Sequence, residues 1–384
     1  MPFTGSTFTL PLGSVNAVPG SIVQSATWNA IHADLNTGLT QTMAQLISTP
    51  TTRNILVVNG SLDVWQRGSG STASIAVAAS TTAYTADRWY VTTGVNQASV
   101  ISATTALANS SLLAGKILRN AAQTGVTAYT FGYPLDTDEI TAMRGSKVSL
   151  SFLAKTGVNW SPTNGTFSVA LYVGTGAVAK RGGGFTSETQ VITIATNLAA
   201  SSATTAIAGT STIVVPVTAT QAELQFTWTP VGTAGADDSI TFDDVQLEAN
   251  LSTSTWTPTA YDRLKFEAEY NFCKRHYKKT QPYNVAPAQN SGLLGALVYS
   301  SSAISKIGVQ WNFDIDSRVV GTVTTFNPQA ANANWQNITV PAAIVATIDT
   351  ASASNSTKFI YIGGATIGAG DNQALIHCQV DSGI

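Results

Sequence analysis

The sequence contains little charge. Asp, Glu, Lys and Arg make up 10% of its 384 residues, against about 25% in ordinary globular proteins. The net charge of −2 argues against a protein whose main partner is nucleic acid, because such a protein usually presents a basic face. Hydroxyl, amide and small side chains take the place of the charges. This composition suits a protein that stands outside a cell and makes large subunit contacts.

Cysteine, histidine and long apolar runs are also scarce. The two cysteines, Cys273 and Cys378, lie far apart in the sequence, so we expect free thiols and folding in a reducing cytoplasm. Three histidines in separate segments, without HxxxH or CxxC spacing, suggest no zinc site. No run approaches ~18 apolar residues, so no membrane span is predicted. The first residues lack the basic and apolar regions of a secretion signal.

An amphipathic helix is predicted near the N terminus, after an arm rich in Gly and Pro. Apolar residues recur there at steps of three and four, as on one face of a helix: Trp28, Ile31, Leu35, Leu39, Met43 and Leu46. Such a helix is marginal alone, so its apolar stripe must be buried. Burial on the chain's own sheet and association with copies of itself are both open. We assign residues 1–53 to an oligomerising and docking region.

Alternating apolar and polar residues dominate the rest of the chain. Residues 54–258 contain segments such as KVSLSFLAK, TFSVALYVG and TIVVPVT, separated by turn residues, which predicts an antiparallel β-sandwich. A connecting helix is predicted over 259–280, where Thr259 and Asp262 resemble a capping box. Residues 281–384 return to strands and predict a smaller β-sandwich domain. The fold is therefore expected to be mainly β.

Three segments carry a resemblance to a known family. NILVVNGSLDVWQRG (54–68), followed by YTADRWYV (84–91), resembles the opening of a jelly-roll domain found in tailed-bacteriophage tail fibres and other virion structural proteins. ITFDDVQLEANLSTSTWTPTAYD (240–262) resembles its closing strand, and FCKRHYKK (272–279) resembles the helix end that follows. His276 and Asn250 depart from the family pattern. The domain is also similar to carbohydrate-binding modules.

The resemblance implies a non-enzymatic virion component, assembled in the host bacterial cytoplasm. A homotrimeric tail fibre is the preferred interpretation, with other virion proteins (tail, portal or collar, or capsid) and a host surface glycan as partners. A capsid head fibre or decoration protein, and a spike that cleaves polysaccharide, remain alternatives. No cofactor is expected, apart from a structural calcium ion that carbohydrate-binding modules often hold. Its ligands here would be Asp63 and Asp243; burial of these carboxylates against Arg or backbone groups is the alternative.

The YTADRWYV segment poses a choice between a binding site and a structural motif. With strand alternation, Trp89 faces the core and Asp87 turns inward, where it needs backbone N–H groups or an Arg. Arg88 would lie beside Tyr90 and reach Asp63 or the turn after Trp65. We interpret Trp65, Asp87, Arg88 and Trp89 as a core motif. A sugar platform made of the same residues is the alternative.

Two tryptophans in loop-like, amide-rich stretches are candidates for stacking on a glycan. Trp160 lies in GVNWSPTNG and Trp335 in NANWQNITV; packing at the edge of the core is the alternative for both. Six of the nineteen Lys and Arg residues lie between Arg263 and Lys279. This basic run predicts a solvated helix face or, alternatively, a contact with a polyanion.

Overall fold

The computed structural model describes residues 57–250, 258–293, 297–301, 305–339, 342–344, 346–348, 355–367 and 372–383. Across these residues the chain is mainly β, as predicted. The N-terminal stripe from Trp28 to Leu46 lies outside the described residues, so its docking role stays a prediction.

Twelve strands form the central sandwich. In chain order they are β1 (Ser74–Val77), β2 (Thr82–Tyr84), β3 (Tyr90–Thr92), β4 (Ser99–Thr105), β5 (Leu113–Arg119), β6 (Tyr129–Pro134), β7 (Lys147–Thr156), β8 (Thr166–Gly174), β9 (Thr189–Asn197), β10 (Thr205–Thr210), β11 (Gln221–Trp228) and β12 (Asp238–Asn250). They pair antiparallel into two six-stranded sheets. The first has the order β1-β4-β5-β12-β7-β10 and the second β2-β3-β6-β11-β8-β9.

The core of the sandwich lies between these two sheets and is rich in aromatic rings. Strand β11 shows why, because its alternate residues Leu224, Phe226 and Trp228 are buried against the other sheet. The Phe226 ring centroid lies 4.6 Å from that of Phe242 on β12. Aromatic rings bury the largest areas of any side chains, so these contacts dominate the packing.

A short helix that the sequence did not suggest connects β6 to β7. Helix α1 (Thr137–Met143) begins with a capping box in which Asp136 and Glu139 satisfy each other's backbone amides. Ile140 and Met143 are buried in the core. The predicted strand TIVVPVT is wrong: residues 211–220 form bends and turns. Pro216 within it lacks the N–H that a central strand needs.

The connecting helix is shorter than predicted. Helix α2 covers Phe266–Lys274, not 259–280. Thr259 does not cap it, because its hydroxyl and amide both donate to the carboxylate of Glu248 on β12. The chain after α2 forms strand β13 (Tyr277–Lys279), which pairs with the last strand.

The terminal module is built around that last strand, β21 (Asn372–Asp381). The other strands of the module are β14 (Leu297–Ser301), β15 (Ser305–Asn312), β16 (Thr322–Phe326), β17 (Trp335–Asn337), β18 (Ala342–Ile344), β19 (Ala346–Ile348) and β20 (Phe359–Ile367). One sheet has the order β13-β21-β17-β18, with β14 and β16 also paired to β21, and the other has the order β15-β20-β19. Residues Arg53–Ile384 belong to one compact unit, so the terminal module is not separated from the sandwich.

A backbone contact at Gly60 gives a first prediction. Strand β12 has a bulge between Asp243 and Gln246, and the Val245 amide in it donates to the Gly60 carbonyl at 2.8 Å. A Cβ atom on Gly60 would lie 2.1 Å from the Val245 carbonyl oxygen. Gly60→Ala is therefore expected to lower the free energy of unfolding by ~1–3 kcal/mol, the usual cost of overpacking.

Urea unfolding followed by circular dichroism measures this effect. The matched control is Gly183→Ala, because a Cβ atom there would meet nothing within 4 Å. Equal stability of the two variants would contradict the packing described at the bulge.

Candidate functional site

The Asp-Arg-Trp segment forms the turn of a hairpin, not a continuous strand. Strands β2 and β3 pair from Thr82–Thr92 to Tyr84–Tyr90, and the Thr85 amide donates to the Trp89 carbonyl at 2.9 Å across the loop. Arg88 adopts the left-handed conformation with φ of 74°. This conformation is uncommon for a residue with a side chain. It breaks the alternation on which the predicted orientations depended.

Asp87 is buried in this turn and binds the segment that contains Gln66 and Arg67. Its Oδ2 accepts from the Gln66 amide at 2.6 Å, and its Oδ1 accepts from the Gln66 side chain at 3.2 Å. Arg67 lies 3.4 Å from the same carboxylate and 2.9 Å from that of Asp381 on β21. Burial raises the pKa of Asp87 to about 6, and Arg67 opposes the shift. The carboxylate thus connects the sandwich to the terminal module.

Arg88 pairs with a carboxylate that the sequence did not suggest. Its Nη2 donates to Glu139 at 2.8 Å and to the Pro134 carbonyl at 3.0 Å. It does not reach Asp63, which pairs instead with Arg263 at 3.0 Å. The predicted partner of Arg88 is therefore wrong, because its left-handed backbone aims the side chain at the start of α1.

His276 completes the surroundings of Arg88. Its ring contacts Nη1 of Arg88 and lies 3.7 Å from the carboxylate of Asp136. Burial, and then the positive charge of Arg88, hold the pKa of His276 well below its usual value. The ring is therefore neutral at pH 7 and accepts a hydrogen bond from the guanidinium.

Both tryptophans of the motif lie in the core. Trp65 and Trp89 are fully buried. The Trp89 ring stacks on Phe131 with centroids 4.6 Å apart, and its Nε1 donates to the Asn59 carbonyl at 2.9 Å. With no exposed ring face, Trp89 cannot serve as a sugar platform. The motif positions the chain and does not present a binding surface.

The two carboxylates predicted to hold calcium do not fit that role. Asp63 accepts from the Leu112 and Leu113 amides at 2.9 and 2.8 Å and pairs with Arg263. Asp243 accepts from the Leu107 amide at 2.7 Å, among other donors. N–H donors and a guanidinium thus occupy the oxygen atoms that a cation would need. Within the described ranges, no group of three or more His, Cys, Asp and Glu residues could hold a metal ion.

The two predicted stacking tryptophans are buried, which corrects that prediction. Trp160 is 7% exposed and packs at 6.0 Å from Trp228. Trp335 has no exposed surface, lies in strand β17 and donates from Nε1 to the Gly363 carbonyl at 3.0 Å. Neither ring faces solvent, so neither can stack on a glycan.

The candidate site that the structure favours is the outer face of the second sheet. Here β8 and β11 pair side by side, which brings Ser168 opposite Thr227, Ala170 opposite Gln225 and Tyr172 opposite Glu223. These residues alternate with those that face the core, so their side chains lie on the other side of the sheet. Ala170, Glu223 and Gln225 are nevertheless buried there. We call this row of six residues the outer face.

The loop between β8 and β9, residues 175–188, folds over one end of the outer face. The Arg181 amide donates to Glu223 at 2.7 Å, and its guanidinium lies 3.7 Å above the Tyr172 ring. Two further bonds of 2.8 Å join this guanidinium to Glu188. Arg181 therefore holds the loop onto the sheet through charge, stacking and backbone contacts together.

Glu223 is the buried centre of this cluster. It accepts from the Tyr90 hydroxyl at 2.5 Å and from the Gln225 side chain at 2.6 Å. Burial raises the pKa of Glu223, while the bond from Tyr90 and the amide of Arg181 oppose the shift. Strand β6 makes room for the Tyr90 ring, because a Cβ atom on Gly132 would lie 2.4 Å from it.

An open groove of about 360 Å³ lies at the other end of the outer face. Hydroxyl groups on both strands line it, and those of Ser168 and Thr227 are 2.7 Å apart. Thr163 and Asn164 add polar groups from the loop before β8, and Trp228 contributes apolar surface. Hydroxyl and amide side chains are the chemistry that binds sugar hydroxyls. Trp228 is 6% exposed, so it forms part of the wall but offers no ring face for stacking.

Sequence reasoning missed this face, although part of its signal is visible. In β11, Glu223 and Gln225 alternate with Leu224 and Phe226, which marks one polar face on a buried strand. Arg181 lies more than forty residues before Glu223 in the sequence, so its position over the outer face could not be predicted.

No helix of the described residues is long and apolar enough to cross a membrane. No protein-family model and no curated protein sequence matches this chain.

Solved structures are similar to part of this chain at low identity. A xylan-binding domain from CBM 22 is 13% identical, over 44% of this chain and 90% of its own, with a TM-score of 0.27. A putative sugar binding protein from Bacteroides thetaiotaomicron is 13% identical, over 51% and 99%, with a TM-score of 0.34. The CBM22-1–GH10 modules of Clostridium thermocellum xylanase 10B are 14% identical, over 45% and 28%, with a TM-score of 0.27. The match spans 28% of that xylanase chain and 31% of an arabinofuranosidase chain.

Proposed function

We propose that this chain is a non-enzymatic structural component of a tailed-phage virion, a trimeric tail fibre. Residues 1–53 dock it to the particle, and its β modules project toward the host surface or toward neighbouring subunits. The observation that carries the proposal is the polar network between the sandwich and the terminal module. We call it the junction network; it consists of Gln66, Arg67, Asp87, Tyr277 and Asp381.

The junction network joins the two modules through hydrogen bonds and an ion pair; Asp87 is buried, whereas the Asp381 side chain is 34% exposed. The Gln66 side chain bridges the Asp87 carboxylate and the Tyr277 carbonyl, at 3.2 and 3.0 Å. The Arg67 guanidinium lies 4.1 Å from the Tyr277 ring centroid while it pairs with Asp381. An appendage that transmits force must hold its modules in one orientation. A hinge between domains would instead have few contacts and a flexible linker.

Glycan contact is the second part of the proposal, and the outer face supports it. Its hydroxyl-lined groove offers hydrogen bonds, and the chain has few charges to desolvate. Contacts of this kind are individually weak. Several copies on one fibre would raise the overall affinity through effective concentration.

Sedimentation of the full chain and imaging of particles test the proposed function. The full chain is expected to sediment as a trimer. Deletion of residues 1–50 is expected to abolish both trimer formation and incorporation into particles. Electron cryomicroscopy of particles should place the chain on the tail. Density on the capsid surface would favour the decoration-protein alternative. A monomer whose truncation leaves incorporation unchanged would contradict the proposal.

A further inference from the structure

The ammonium group of Lys180, in the loop between β8 and β9, lies among tyrosine rings. Its Nζ is 4.7 Å from the ring centroid of Tyr84 and 5.4 Å from that of Tyr90. The two rings meet edge to face, with centroids 6.2 Å apart, and belong to paired residues of β2 and β3. We call these two rings the tyrosine subsite.

The aromatic rings take the place of a carboxylate partner for Lys180. Across the described residues, no carboxylate lies within ion-pair distance of its ammonium group. The neighbouring Arg181 differs, because its guanidinium makes two bonds of 2.8 Å to Glu188. An ammonium group near the faces of tyrosine rings is attracted by their π electrons. The tyrosine subsite is therefore suited to a cation and now holds one that belongs to the chain itself.

A carboxyl group next to the tyrosine subsite favours a cation there as well. The Tyr90 hydroxyl donates to Glu223 at 2.5 Å. Arg181 contacts this carboxyl group through its backbone amide, at 2.7 Å. A second guanidinium near the subsite, that of Arg67, pairs with Asp381. A cation bound at the rings would stabilise the ionised form of Glu223.

Lys180 can leave the tyrosine subsite by rotation of its own side chain. The residue is only partly buried, and its ammonium group stands on a flexible stem of four carbon atoms. The loop backbone is held independently, because the bond from the Arg181 amide to Glu223 does not involve the lysine side chain. Tyr90 is 3% exposed while the lysine is in place. Rotation of the lysine would uncover the ring surface that it now covers.

The tyrosine subsite and the open groove lie on the same side of the second sheet. Thr227 in the groove pairs with Thr130 on β6, and Thr130 pairs with Thr92, two residues beyond Tyr90 on β3. From the usual spacing of strands and of residues within a strand, the Cα atoms of Thr227 and Tyr90 are roughly 12 Å apart. Neighbouring sugar units of one glycan chain can span this distance.

We propose that the tyrosine subsite binds a protonated amino group of a glycan, and that the Lys180 ammonium occupies the subsite until such a ligand replaces it. The amino group lies against the rings of Tyr84 and Tyr90, while neighbouring sugar units lie in the groove. The proposal rests on the glycan contact proposed above and adds a ligand class to it. Lys180 is then an internal competitor, so its removal strengthens binding of an amino sugar.

Ligand-observed NMR titration of the full chain at pH 6.0 tests the proposal with two β-1,4-linked tetrasaccharides. One consists of glucosamine, whose amino groups are protonated at this pH, and the other consists of N-acetylglucosamine, which carries no charge. Lys180→Gln is expected to bind the glucosamine probe about fivefold or more tightly than the unmodified chain does, which is within the range of a cation–π contact. Its affinity for the N-acetylated probe should be unchanged.

Lys155→Gln is the matched control, because Lys155 is exposed on β7 of the other sheet, and both affinities should stay unchanged in it. Addition of Tyr84→Leu to Lys180→Gln removes one ring and should abolish the gain. The gain should also disappear at pH 9.5, where the amino groups of the probe are neutral, and this measurement needs no second variant that folds.

The outcomes separate the amino-group proposal from the glycan contact on which it rests. No gain for the glucosamine probe, or an equal gain for both probes, would overturn the role of the tyrosine subsite and leave the groove unaffected. A failure of both probes to bind any of these proteins would overturn the glycan contact and the amino-group proposal together.

Discussion

Arg88→Met is expected to lower the free energy of unfolding by about 3–5 kcal/mol, the range for breaking a buried ion pair on one side. Arg88 is 4% exposed and Glu139 is 8% exposed, and their side chains meet at 2.8 Å. Without the guanidinium, Glu139 keeps the Tyr133 hydroxyl and the Asp136 amide as donors but has no compensating charge. The Pro134 carbonyl also loses its donor. Urea unfolding at pH 7 measures the change.

A double variant separates the energy of the Arg88–Glu139 ion pair from the other effects of replacing Arg88. Adding Glu139→Gln to Arg88→Met removes the orphaned charge and should restore about 1–2 kcal/mol of the loss. A methionine at this position keeps a side chain in the same left-handed conformation, so backbone strain is common to both proteins. A loss below about 1 kcal/mol in the single variant would show that the pair does not hold the hairpin.

Trp89→Ala is expected to cost about 3–5 kcal/mol, because it removes the largest type of side chain from the centre of the core. The Trp89 ring is fully buried and packs against Phe131, Tyr133 and Phe226, with centroids 4.6, 5.0 and 6.0 Å away. Circular dichroism in a urea series measures the loss. Trp89→Phe keeps a ring in the core, so its free energy of unfolding should lie between those of Trp89→Ala and the unmodified chain.

The same substitution distinguishes the two interpretations of the motif. If Trp89 were a sugar platform, its removal would abolish glycan binding and leave the unfolding midpoint almost unchanged. The structure predicts the reverse. Trp89→Ala should lower the free energy of unfolding strongly, and the variant molecules that remain folded should still bind glycan. A midpoint within error of the unmodified chain would contradict the core assignment.

Strand alternation was enough to predict much of the sandwich. The segment TFSVALYVG coincides with β8, Thr166–Gly174, because apolar and polar residues alternate along most of its length. The spacing of apolar residues depends only on neighbouring positions, so it can be read directly from the sequence. Helix α1 was missed because seven residues are too few to show a helical period, even though Asp136 and Glu139 form a capping box.

The orientations in the hairpin could not be predicted in the same way. Alternation placed Asp87 inward, and it is buried, but the cause is the turn and not a strand. The left-handed backbone at Arg88 carries no sequence signal, because it occurs at a residue other than glycine. Its partner Glu139 lies on a helix that was not foreseen, so the predicted contact with Asp63 followed from an incomplete set of elements.

Burial of the tryptophans depended on tertiary structure. Trp160 lies in an amide-rich loop, which usually means exposure, but that loop packs across the end of the sandwich beside Trp228. Trp335 lies in a short strand that pairs with β21, the centre of the terminal module. Neither long-range pairing is visible from composition around the residue. The outer face was missed for the same reason, since it unites strands from distant parts of the chain.

We propose that the chain contacts glycans without cleaving them. Binding of host surface polysaccharide to the full chain, with new reducing ends assayed in the same sample, tests it most directly. The account predicts saturable binding, no new reducing ends, and at least a tenfold loss of affinity, about 1.4 kcal/mol, in Thr227→Val, because Thr227 lines the open groove. Tyr361→Ala, which alters a 39% exposed tyrosine of the terminal module, should bind as the unmodified chain does. Release of reducing ends, or unchanged binding by Thr227→Val, would contradict the account.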